Sequence, residues 1–229
     1  MHSGTSDESP SAELPPSALP SYRKAPETLE ELFALYHDRY KPLYSYVQVL
    51  ANQIPAELAF EMQAALDHIS RHYQFQEPLE RCLDLASRHI KRAILDCYKL
   101  MVRYILDEYE ELRKIDLSII DNGEFKRELR KLIAAIRVDA TKARRYEGDT
   151  TAHGDWHTAF ESWDVAFSNC VRFHEEFYLN ENVDWARGKQ WWKTWRQRVE
   201  GFVVGVISSF AAACLWWWYF FGSGTGRAP

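Results

Sequence analysis

The segment Gly201–Phe221, GFVVGVISSFAAACLWWWYFF, limits what this chain can fold into more than any other stretch. It holds no charged residue over about the length that crosses a bilayer as a helix. A helix apolar on every side either fills the core of a large domain or spans a membrane. The rest of the 229-residue chain is too polar to follow the segment into lipid. The spanning reading is therefore the expected one, and a buried core helix is the alternative.

The flanks of the segment point the same way. Trp185, Trp191, Trp192 and Trp195 precede it, and Trp216, Trp217, Trp218 and Tyr219 close it together with Phe220 and Phe221. Indole rings favour the headgroup boundary, so these form two aromatic belts around an apolar span. Arg187, Lys189, Lys193, Arg196 and Arg198 lie before the span and only Arg227 after it. The positive-inside rule then predicts a cytoplasmic body at a plasma or inner membrane, with residues 222–229 as a short extracytoplasmic tail. Gly201, Gly205, Ser209 and Ala213 recur at every fourth position, a spacing that lets helix backbones approach closely. This stripe predicts a homo-oligomer, although small residues are also common in spans for no such reason.

Upstream of the span the chain predicts an all-α fold, a cytoplasmic antiparallel bundle of four to five helices over residues 27–180. Residues 1–26 carry five of the nine prolines and no apolar or basic run, which predicts a disordered tail and no signal peptide. Thr28 and Glu31 form a capping box before the first apolar periodicity. That helix takes Leu32, Phe33, Tyr36, Tyr40, Leu43, Tyr44, Val47 and Leu50 inward, with a kink or a break expected near residue 41 because of Pro42. The second runs from Pro55 as first helical residue to Tyr73, with Leu58, Met62, Ala65, Leu66, Ile69 and Tyr73 inward. Further helices are predicted over 78–114, 124–146 and 155–179, with residues 147–155 as a loop. Asp121-Asn122-Gly123-Glu124 is a turn that doubles as a helix cap. Residues 181–200 form a basic, tryptophan-rich juxtamembrane segment. The cysteines at 82, 97, 170 and 214 include no CxxC pair and are expected to be reduced.

Two polar groupings stand out. Glu61, His68 and His72 share an edge of the second helix, and His89, Arg92 and Asp96 share one of the third. If these helices form a hairpin, Glu61 meets His89 and Arg92. The grouping is either a ligand or proton-transfer site or a satisfied polar network that fixes helix register, and the network is the simpler expectation. Lys126, Arg127, Arg130, Lys131, Arg137, Lys142, Arg144 and Arg145 line an outer arc of the fourth helix. They would suit an anionic partner, or they are a solvated face balanced by Glu124, Glu128, Asp139 and Glu147. His153, His157 and Asp164 lie close in sequence, but no zinc-site spacing completes them, so no metal is expected.

The net charge of −5 argues against whole-chain nucleic-acid binding, so nucleic acid is not an expected partner. Phosphate loops and the nucleophile elbow are absent from the sequence, and no cofactor is expected. Helical-bundle ribonucleases of prokaryotic defence systems carry an Arg closely followed by a His. The nearest candidates here, Arg81 with His89 and Arg145 with His153, are spaced too widely, and that activity is not inferred. The expected function is interaction at a lipid bilayer by a self-associating protein, with a sensing or membrane-disrupting defence effector as one form and a cytoplasmic protein partner as another. The other class is a membrane-tethered enzyme, or an RNA- or nucleotide-directed protein, that uses one of the two polar groupings.

Overall fold

The structure is a computed structural model, and it describes residues 25–153 and 156–221. The expectations for the N-terminal tail as far as residue 24 and for the tail 222–229 lie outside the described residues.

The protein is all-α. Helix α1 is Leu29–Leu35, and the Thr28 hydroxyl accepts the Glu31 N–H at 3.2 Å. Glu31 in turn accepts the Glu27 N–H at 2.7 Å, so the predicted box closes one residue further out. In place of the kink or break expected near residue 41 there is a π-helical turn, Tyr36–Tyr40, leading into α2, Lys41–Ala51. Proline lacks the N–H that would continue the α ladder, and the chain widens just ahead of it, with the Lys41 N–H bonded to the Tyr36 carbonyl.

Helix α3 is Ala56–Phe75, with Pro55 as an extended cap rather than the first helical residue. Helix α4, Leu79–Leu112, is 34 residues long. Two short 3-10 turns, Leu117–Ile119 and Asp121–Gly123, lead to α5, Glu124–His153. Asp121, Asn122 and Gly123 all take positive φ, which Asp and Asn tolerate and glycine adopts freely. Helix α6, Trp156–Phe173, ends in a second π-helical turn, His174–Tyr178. Helix α7, Glu181–Phe221, runs 41 residues without interruption.

The described chain packs as two compact units. One takes residues up to Leu106 with Ala134–Val171, and the other takes Asp107–Ile133 with residues from Arg172 on. The first is a helical bundle whose core includes Val47, Leu58, Leu83, Ile94, Met101, Ile136, Phe160 and Trp163. The second buries Leu112, Leu117, Leu129, Phe173, Phe177 and, from the start of α7, Val183 and Ala186. Within it the Phe125 and Phe177 rings lie 5.1 Å apart.

Three further local expectations are corrected. Residues 147–153 are helical, not loop: Glu147 is held by Lys99 at 2.8 Å and by Arg144, which keeps the backbone in α5 past Gly148. The inner face of α3 is narrower than its apolar stripe. It buries Leu58 and Ala65, whereas Leu66 is 67% and Tyr73 61% exposed, because both sit round the helix from that line. Phe33 likewise faces outward, beside the buried Leu32.

Candidate functional site

The α3–α4 pairing brings part of the predicted polar edge together. Glu61 and His68 are seven apart on α3 and so share a face beside Leu58 and Ala65. His89 Nδ1 lies 2.7 Å from Glu61 Oε2, with the two side chains 20% and 24% exposed. The carboxylate accepts, so the imidazole donates from Nδ1. His68 stacks on His89 at 5.1 Å and 26°. Burial holds His68 below the ordinary histidine value, and the neighbouring His89 and Arg71 push the same way. A carboxylate–imidazole pair of this kind can hold or pass a proton.

The other three predicted members go elsewhere. His72 donates from Nδ1 to the Glu77 carbonyl at 2.8 Å and closes the end of α3, where Gln76 is left-handed. Arg92 is exposed and has no ion pair among the described residues. Asp96 pairs with Lys99 at 3.1 Å, one turn along α4.

One polar centre was not anticipated from sequence. Asp164 on α6 accepts from Arg39 at 3.2 Å and from the Tyr98 hydroxyl. Tyr98 also stacks on Trp163, with centroids 6.0 Å apart and planes 2° apart. The Trp163 indole N–H is buried with no hydrogen-bond partner among the described residues. Arg39 and Asp164 are 125 residues apart, so no spacing could announce the pair. The only signal was an aspartate inside an apolar stripe. Beside it, burial pushes the Cys97 thiol up to about 12 and raises Tyr40 above the ordinary phenol range.

In the second unit, His174 donates to Glu108 at 3.0 Å, and Tyr178 donates to Glu111 at 3.2 Å. His157 pairs with Glu161 one turn along α6, at 3.0 Å. His153 is the last residue of α5, before the start of α6. Among the described residues no three His, Cys, Asp or Glu side chains gather as metal ligands do.

All eight predicted basic residues lie on α5, and seven are exposed, Lys126 being half-buried. Arg127 pairs with Glu124 at 2.6 Å, Lys131 with Glu128 at 2.8 Å and Arg144 with Glu147 at 3.3 Å. The Lys142 ammonium lies 5.9 Å from the Tyr146 ring. The arc is thus an ion-paired surface over much of its length, which weakens it as an anion-binding face.

Helix α7 changes character along its length. Its first turns are packed, but from Arg187 its described side chains are exposed. Among the described residues it is the one helix long and apolar enough to cross a membrane, and none of its apolar window is buried. The Trp191 and Trp195 rings stack at 6.5 Å, and Lys189 lies 4.7 Å over Trp185. Trp192, Trp216, Trp217, Trp218 and Tyr219 are exposed as well. Gly205 and Ser209 floor a shallow groove between Phe202 and Phe210. A Cβ at Gly201 or Gly205 would meet nothing within 4 Å. The Ser209 hydroxyl donates to the Gly205 carbonyl at 2.8 Å, so it is satisfied within its own helix.

At its body end α7 forms one wall of a cleft of about 330 Å³. Arg187, Gln190, Trp191, Trp195 and Arg198 face Lys114 and Ile115 across it. Gln190 joins the walls: its amide oxygen accepts the Asp116 N–H at 2.9 Å, and its nitrogen donates to the Lys114 carbonyl at 3.0 Å. No protein-family model, curated protein or solved structure matches the chain.

Proposed function

We propose that the chain is a helical interaction protein anchored in a bilayer by α7, with its body in the cytoplasm, and that it self-associates there. The observation that carries this reading is the unburied apolar stretch of α7, continuous with a packed first turn. In water such a surface is unfavourable by about 25 cal/mol for each Å² of apolar area, and lipid removes that cost. The basic side chains ahead of the span support the cytoplasmic orientation.

Self-association rests on the stripe of Gly201, Gly205, Ser209 and Ala213. Glycine inside a helix costs roughly 1 kcal/mol relative to alanine, and no neighbour within the chain requires it at 201 or 205. A second copy packing closely on this face would offset that cost. A lone uncharged helix offers no path for ions, so a membrane-disrupting effector would need several copies.

Crosslinking of the full chain in vesicles tests the reading. Oligomers are expected, with Gly205→Leu returning them to monomer. A wild-type chain that stays monomeric removes the self-association claim, and one that washes from vesicles at alkaline pH removes the anchor. A proton-transfer role is the second reading, favoured by the Glu61–His89 pair. It requires that Glu61→Gln abolish whatever activity the full chain shows while leaving its oligomers intact.

A further inference from the structure

We propose that the cleft between α7 and the turn after α4 binds the headgroup phosphate of an anionic phospholipid, an inference that rests on α7 being a membrane anchor. Its charge suits that ligand. Lys114, Arg187 and Arg198 line the cleft, and no carboxylate does. Arg187 shares Asp184 at 2.9 Å, whereas the Lys114 and Arg198 side chains have no ion pair among the described residues. The stacked Trp191 and Trp195 rings supply an apolar wall with indole N–H donors. Both polar ends of the Gln190 amide are engaged, so this residue holds the walls together and is not itself a ligand. The cleft's volume corresponds to on the order of ten waters, enough for a hydrated phosphodiester.

Depth along the helix favours a lipid over free phosphate. The uncharged segment of α7 begins at Gly201, and Arg198 and Trp195 stand three and six residues before it. At 1.5 Å per residue they lie about 4.5 and 9 Å outside the span. The headgroup layer adds roughly 5–8 Å to each side of the ~30 Å hydrocarbon core, so the Arg198 end of the cleft lies at headgroup depth. A headgroup therefore reaches that end of the cleft while its acyl chains lie along α7.

The test uses the full chain in phosphatidylcholine nanodiscs doped with phosphatidylglycerol, and native mass spectrometry counts the phosphatidylglycerol retained. Each cation removed is expected to weaken retention about fivefold, so Lys114→Gln with Arg198→Gln gives a loss on the order of 25-fold. The charge-keeping pair Lys114→Arg with Arg198→Lys retains the lipid, and so does Arg127→Gln with Lys131→Gln on α5. Unchanged retention in the cleft variant overturns the proposal, as does an equal loss in the α5 variant. Displacement of the lipid by millimolar inorganic phosphate assigns the cleft to the free anion and overturns the lipid. Failure of the wild-type chain to enter pure phosphatidylcholine discs removes the anchor as well. Entry without a preference for phosphatidylglycerol overturns the cleft alone.

Discussion

Asp164 ties three elements of the first unit through its one carboxylate. It takes Arg39 from the π-helical turn and Tyr98 from α4, and it is itself on α6. The Arg39 side chain is only 13% exposed, so removal of its carboxylate leaves a charge poorly hydrated. Asp164 is 37% exposed, which lets water return and moderates the loss. Asp164→Ala is expected to cost about 2 kcal/mol in urea unfolding, with Asp164→Asn costing less because it keeps an acceptor for Tyr98. His68 gives a second effect at the same scale. A histidine whose pKa is lowered by burial binds fewer protons folded than unfolded. Its contribution to stability is present above the unfolded value and is lost as the pH falls through it. Between roughly pH 8 and pH 5 the urea midpoint should therefore drop more steeply in wild type than in His68→Gln. The Glu61–His89 contact was legible from sequence because helical periodicity and a short hairpin connection fix which edges meet. The Asp164 centre was not, because its partners come together only through packing between distant segments.

Helices were legible as elements wherever capping and periodicity agreed. Thr28 and Glu31 mark the start of α1, and Asp121-Asn122-Gly123 marks the start of α5. Ends were less legible where a tertiary contact overrode local preference, as when the Lys99–Glu147 pair carries α5 through Gly148. That glycine gains nothing from its small size, since a Cβ there meets nothing within 4 Å. Gly148→Ala should stabilise the protein by roughly 0.5–1 kcal/mol and raise its melting temperature by a few degrees. Thr28→Ala should lower stability by about 1 kcal/mol through loss of the cap. Thermal melts of the two variants, followed by circular dichroism, check both.

At the scale of the whole molecule, α7 belongs at once to the folded body and to the apolar segment. Val183 and Ala186 are buried, and Gln190 bonds to the chain near Asp116, whereas the segment beyond is exposed. A chain ending at Glu200 should stay in solution and melt within a few degrees of the full chain. A chain ending at Leu179 should also be soluble but melt lower, because it loses the buried side chains and both Gln190 bonds. Detergent-free gel filtration and thermal melts of the two truncations separate the apolar part of α7 from its packed part.

The sequence alone determined the helical class, the long apolar segment at the end of α7 with the aromatic residues that flank it, and several of the turns at which helices begin. These depend on residue types and spacing along one segment, which local sterics and solvation read directly. Tertiary structure decided which charges meet. It split the predicted six-residue polar edge, set Asp164 between Arg39 and Tyr98, and brought Lys114 across to Arg187 and Arg198. Such contacts depend on the rotation and approach of segments far apart in the chain, and those are set by side-chain packing in the two cores.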